Sequence, residues 1–287
     1  LIDRTENRQP ATDVPRESAK AILFQFVIFP LGIVAVAVGI FLLFGQLASE
    51  QASIPEYLSD IRSGSSHRKF QAAYELSKSI KRGEAKRYPD LVNQVAAVYR
   101  EAKDDDPRIC QYLTLVLGKI GDRRATPTLI DALRDSNTDI RVYALLALSE
   151  LRDPEAVPAM IEAARDREKD VRKTAVFALG QSGDARAIPA LAAALNDQTA
   201  DIRYNAALAL ARFDDRLAAG VLEEMLDRSR LDRVSGMRPD QKEEAMLAAI
   251  AAYAKVAGPD AKPLLERLAA ADPSMRVRAA AKSAAAQ

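Results

Sequence analysis

Laid on itself with a shift of 31 residues, the middle of the chain matches in three columns: Pro127, Pro158 and Pro189; Asp139, Asp170 and Asp201; Arg141, Arg172 and Arg203. No other feature limits the fold so tightly. A fixed period of this size marks stacked supersecondary units, each too small to bury its own apolar face and dependent on its neighbours for a core. With 48% hydrophobic and 28% charged residues, the chain has the apolar content for such a core.

Each unit reads as two helices. Proline at the start suits a first helical turn, where its missing N–H has no partner anyway. Leu129, Ile130 and Leu133, with Met160, Ile161 and Ala164 one period on, make the apolar stripe of the first helix. Asp139, Asp170 and Asp201 are read as N-caps of the second helix, whose Ala-rich apolar run lets neighbouring helices approach closely. Gly121-Asp122, Arg152-Asp153-Pro154 and Gly183-Asp184 read as the closing turns. The pattern weakens outward, as the solvent-facing ends of a stack require. Lys242 follows Arg203 by 39 residues, so eight have been inserted before it. The reading is an all-α chain: an α-solenoid of about seven helical pairs over 47–287, preceded by one transmembrane helix.

That helix is expected over 21–46, behind a polar tail at 1–20. Ala21 to Phe44 is 24 residues with no charge, a rise of about 36 Å against a hydrocarbon core of about 30 Å. Arg4, Arg8, Arg16 and Lys20 precede it, whereas 46–64 holds only Arg62 beside Glu50, Glu56 and Asp60. The basic flank predicts a single-pass protein of the bacterial inner membrane, its N-terminus cytoplasmic and its repeats periplasmic. Gly32, Ala35 and Gly39 share one face, where small residues would let another membrane helix dock.

The unit GDARAIPALAAALNDQTADIRYNAALALARF resembles the HEAT-like repeat first named for phycobilisome lyases: Gly-Asp, x-Ala-hydrophobic-Pro-x-Leu, then Asp-x-hydrophobic-Arg and an Ala/Leu-rich helix. The resemblance is strong over 121–217, fair over 87–120 and 218–287, and weak over 53–86. It implies a scaffold or adaptor. Some members attach bilins to phycobiliproteins, but no residue here matches a tetrapyrrole site.

Chemistry is sparse. One cysteine (Cys110) and one histidine (His67) exclude an all-Cys/His zinc site, a disulfide framework and a Cys-x-x-Cys redox pair. A net charge of +1 argues against nucleic acid as a partner. No phosphate loop, His-Glu-x-x-His or Gly-x-Ser-x-Gly is present. Cys110 reads as a small core residue, His67 as a solvated helix start, and Asp104-Asp105-Asp106 as a capping turn. No cofactor, metal or small-molecule substrate is expected, and no enzymatic activity.

Two groups of residues remain as candidates for partner binding. Arg141, Arg172 and Arg203 either bridge to an Asp at the same or the next second-helix start or present a strip to an acidic partner. The insertion offers Arg228, Arg230, Arg233, Met237 and Arg238, with Gly236 and Pro239 as helix breakers; interruptions of a regular scaffold often carry contacts. The expected function is a non-catalytic accessory or assembly subunit of a larger membrane complex, its partners other subunits and the lipid bilayer. The alternatives are a free-standing adaptor that recruits soluble partners and a lyase or chaperone for a chromophore protein.

Overall fold

The computed structural model describes residues 29–48, 53–81 and 87–286. These fall in two units, divided at residue 53. The first contains one helix, α1 (Phe29–Ala48). The second is entirely helical among its described residues and consists of seven successive pairs: α2 (Ile54–Ser63) with α3 (Ser66–Ser79), α4 (Leu91–Glu101) with α5 (Pro107–Ile120), α6 (Thr126–Ala132) with α7 (Thr138–Leu151), α8 (Val157–Ala163) with α9 (Lys169–Ser182), α10 (Ile188–Ala194) with α11 (Ala200–Arg212), α12 (Ala219–Leu226) and the short α13 (Arg228–Asp232) with α14 (Pro239–Ala257), and α15 (Lys262–Ala271) with α16 (Met275–Ala285).

The expected membrane anchor is corrected. Among the described residues no helix is long and apolar enough to cross a membrane. Residues 21–28 of the expected span, and the tail at 1–20 with its topogenic arginines, lie outside the described residues. The inner-membrane location falls with the span, and so does a membrane-docking role for Gly32, Ala35 and Gly39. A Cβ added at Gly32 or Gly39 would meet nothing within 4 Å.

In the repeat unit the second helices stack on one another in chain order, from α3 through α5, α7, α9, α11 and α14 to α16, and each first helix packs on its own second helix. The period shows directly in the core. Leu129, Met160, Leu191 and Leu222 succeed each other at 31-residue steps and are all buried, as are Leu117, Leu148 and Leu179 in the second helices. Ile130, Leu133, Ile161 and Ala164 are half-buried against that core.

Helix starts differ from expectation. The N-cap positions are Asn137, Glu168 and Thr199, so Asp139, Asp170 and Asp201 sit inside the first turn. The cause is an earlier acid: Asp135, Asp166 and Asp197 accept the backbone N–H two residues on, each at 2.8 Å. That Asx turn starts the helix sooner than the later Asp would. The later carboxylates still meet the favourable end of the helix dipole.

Three successive units, those ending in α5, α7 and α9, close in a left-handed residue followed by a single 3-10 turn. Gly121 (φ 71°) and Gly183 (φ 67°) hold this place in two units, and Arg152 (φ 48°) holds it in the one between. A side chain in this region costs about 1 kcal/mol or more. Arg152→Gly is therefore expected to raise thermal stability by about 1 kcal/mol, a gain of a few degrees in Tm. A lower melting temperature would contradict the left-handed cap.

Helix C-termini are satisfied by cations from the next unit. Lys119 Nζ donates to Ser77 O at 2.6 Å, Arg212 Nη1 to Gly180 O at 3.4 Å and Lys255 Nζ to Ala211 O at 3.2 Å. Carbonyls that a helix leaves without intrahelical partners are thus held across the junction between pairs.

Candidate functional site

Three of the predicted arginines form a ladder inside the stack. Arg141, Arg172 and Arg203 each donate Nη1 to the carbonyl of their own turn acid, Asp135, Asp166 and Asp197, at 2.8, 3.0 and 3.1 Å. Each also reaches forward to the next pair. Arg141 Nη2 donates to Asp166 at 3.1 Å, Arg172 Nε to Asp197 at 2.8 Å and Arg203 Nη2 to Glu224 at 2.7 Å. Arg141 and Arg172 use the acids of the turns, not the helix-start Asp170 and Asp201, and Arg203 uses Glu224 of α12. Arg141 is only 5% exposed. All three guanidinium groups are paired within the chain, the bridging arrangement of the two that the sequence offered.

Asp197 shows the electrostatics of a rung. Burial raises its pKa, but the hydrogen bonds from Arg172 and the Thr199 N–H outweigh burial and hold the carboxyl below its ordinary value; the same pairing raises that of Arg172.

The insertion is built into this frame. It folds as α13, N-capped by Asp227, with Leu231 buried and Met237 half-buried against the core. Arg228 Nη2 donates to Asp272 Oδ1 at 2.7 Å, and the Asp272 side chain is 2% exposed. Lys242 Nζ donates to Asp232 O at 3.0 Å. Arg230 pairs with Asp227 and Arg238 with Asp240, both arginines mostly exposed. Arg233 is exposed and has no ion pair among the described residues. Arg228 and Met237 are therefore structural, whereas Arg230, Arg233 and Arg238 face solvent.

The remaining chemical candidates are structurally occupied or isolated. Cys110 stands 31 residues before Arg141, in the arginine column, and is buried against the carbonyls of Ala102 (3.5 Å) and Tyr99 (3.9 Å). Burial pushes its thiol up to about 11, far from a reactive thiolate. His67 is exposed in the first turn of α3. Asp106 caps α5 by accepting the Arg108 N–H at 3.0 Å, and Asp105 accepts from Lys69 Nζ at 2.8 Å. Among the described residues no group of three or more His, Cys, Asp or Glu could hold a metal ion.

A feature that sequence reasoning missed lies on the second helices. In α7, Asp139, Tyr143, Leu146 and Glu150 recur at helical spacing on one face, and Leu146 is 38% exposed. One period on, Phe177 of α9 is 43% exposed. Leu115 of α5 and Leu208 of α11 hold the same register half-buried. Leu146, Phe177 and Tyr143 are three of the five exposed large hydrophobics among the described residues of the repeat unit, beside Leu217 and Met275. The signal was available: the 31-residue shift aligns Leu115, Leu146, Phe177 and Leu208 at a place where a polar residue would sit as easily.

A stack of helical pairs locked by ladders, with an apolar row along its second helices, defines an α-solenoid scaffold. Residues 92–170 and 157–237 match the family model for HEAT repeats, and the chain belongs to the HEAT-repeat family. Among solved structures it is similar to the complex of CpcE and CpcF of phycocyanin lyase from Nostoc sp. PCC7120, at 19% identity and a TM-score of 0.50, over 82% of this chain and 88% of that one. It is also similar to Escherichia coli YibA, at 15% identity and a TM-score of 0.60, over 84% of each chain. At such identities the likeness is one of fold. No curated protein matches the sequence.

Proposed function

We propose that this chain is a non-catalytic scaffold, an assembly subunit that holds protein partners along the exposed face of its second helices. The registered apolar row carries the reading. Scattered exposed hydrophobics are ordinary on any surface, but side chains repeated at one helical position across stacked units make a continuous strip. Partner binding would withdraw the strip from water. Several displaced carboxyl groups, Asp106, Asp122, Asp184 and Asp197 among them, have an arginine or a helix-start N–H as the cause. Those shifts belong to capping and the ladder and need no catalytic role.

The test is crosslinking with mass spectrometry in the native cells, comparing wild type with the Leu146→Glu/Phe177→Glu variant and with Leu217→Glu, a control exposed on a 3-10 turn. The double variant is expected to lose its specific crosslinks about tenfold or more, as hot-spot apolar contacts do. The control should retain them. Identical crosslinks in all three would reject the face as the binding surface. A fixed stoichiometric partner set separates a subunit from a free-standing adaptor. A visible absorption band on incubation with bilin would instead favour the lyase reading.

A further inference from the structure

The insertion forms one wall of a cleft on the stack, and the charges around it do not balance. The cleft, roughly 720 Å³, lies among the start of α9, the start of α11 and the segment 230–235. Its cations are Lys169, Arg203, Arg230 and Arg233, and its carboxylates are Asp201 and Glu224. Both carboxylates are taken. Asp201 accepts from Lys173 Nζ at 2.8 Å, and Glu224 accepts from Arg203 Nη2 at 2.7 Å and from the Tyr204 hydroxyl at 3.1 Å. Just outside, Asp227 is held by Ser229 and Arg230, and Asp232 by Lys242. Lys169 and Arg233 are exposed and have no ion pair with any described residue.

We propose that this cleft receives an acidic segment of a partner polypeptide, its carboxylates bound by Lys169 and Arg233, with Arg230 as the flanking donor. Several observations fit a segment and not a single small anion. The cations come from two elements 64 positions apart in the sequence, Lys169 and Arg233, and surround an open cleft. Half-buried Val234 adds an apolar side chain to the lining. Guanidinium groups also match carboxylates in planar geometry.

The platform is fixed before any partner arrives. Arg228 on Asp272, Lys242 on the Asp232 carbonyl and buried Leu231 hold α13 in place, so binding orders side chains and not a loop. Lys169 is also the first residue of α9. Phe177 lies eight residues further along that helix, about 12 Å, so one partner could lie on the apolar row and end in the cleft. The cleft stands on its own residues, whether or not the row binds.

The experiment uses the full chain and a fluorescein-labelled octaglutamate peptide, read by fluorescence anisotropy at low ionic strength. Wild type is expected to bind. Lys169→Glu/Arg233→Glu should weaken binding about tenfold or more, with an unchanged melting temperature because both side chains are exposed. Lys282→Glu, an exposed charge reversal on α16, should bind as wild type does. Phe177→Glu should also bind as wild type does, which separates failure of the cleft from failure of the apolar row. The proposal is overturned if wild type fails to bind the peptide, if the double variant binds as wild type, or if Lys282→Glu weakens binding equally. Displacement of the peptide by inorganic phosphate at equal charge concentration would overturn it too, since the cleft would then be a simple anion pocket.

Discussion

Alanine in place of Asp197 is expected to destabilise the repeat unit by about 3 kcal/mol, because it removes one partner of a mostly buried ion pair. Asp197 Oδ2 accepts from Arg172 Nε at 2.8 Å and Oδ1 accepts from the Thr199 N–H at 2.8 Å. The two side chains are only 12% and 13% exposed. Removing the carboxylate leaves a guanidinium out of water without its counter-charge and an orphan donor at the start of α11. Asp197→Asn, which can still accept the Thr199 N–H, should fall between alanine and wild type.

The pH dependence has a definite sign. The Asp197 carboxyl lies below its ordinary 3.8 in the folded chain, so its contribution is fully present above that value and is lost as pH falls through the depressed folded one. The stability gap between wild type and Asp197→Ala should be constant near neutrality and shrink as the pH drops below about 4. Urea titrations followed by circular dichroism at a series of pH values measure it. A gap under about 1 kcal/mol, the size of an exposed surface pair, would mean that the rung is decorative.

Gly180→Ala is the second large effect, and its direction is unusual. Within a helix, replacing glycine with alanine ordinarily stabilises by about 1 kcal/mol. Here a Cβ at 180 would lie 2.6 Å from the Cβ of Ala209 and 3.3 Å from its Cα, in the closely packed helix α11. Neither atom is the end of a flexible chain, so the helices must part. A loss of about 2 kcal/mol is expected, more for leucine, in line with overpacked cores. Gly118 meets Ala147 in the same way, at 2.7 Å from its Cβ and 2.9 Å from its Cα, so Gly118→Ala should behave alike. Ser149→Ala, in the same column between them, loses only a hydroxyl bonded to Leu146 O and should be nearly silent. A stabilised Gly180→Ala would show that α9 and α11 stand further apart than described.

Much of the repeat architecture was legible because a period needs no knowledge of which side faces in. Pro127, Pro158 and Pro189 fall in the first turns of α6, α8 and α10 as their chemistry requires, and the turns at Asp122, Asp153 and Asp184 follow from backbone capping. The errors arise where two residues compete for one role. Asp139 and its equivalents have the chemistry of N-caps, but Asp135, Asp166 and Asp197 claim the turn first. Glu224, which replaces the turn acid at the insertion, has no equivalent in the column and could not be read from it. The exposed row at Leu146 and Phe177 was hidden in runs such as 142–148, where nearly every residue is apolar and periodicity cannot tell the packed side from the free one. At the other end of the chain, apolar composition suggested a membrane span that the described residues of α1 do not support.

The ladder and the carbonyl caps run in opposite senses. Arg141 and Arg172 hand their charge toward the C-terminal neighbour, while Arg212 and Lys255 hold the backbone of the unit behind them. The junction between α9 and α11, where Arg172 reaches forward and Arg212 reaches back, is therefore a two-way clasp. A chain severed there leaves Arg172 and the Gly180 carbonyl without partners on one face of the cut and Asp197 and Arg212 without theirs on the other, so each freshly made end should fray before its interior does.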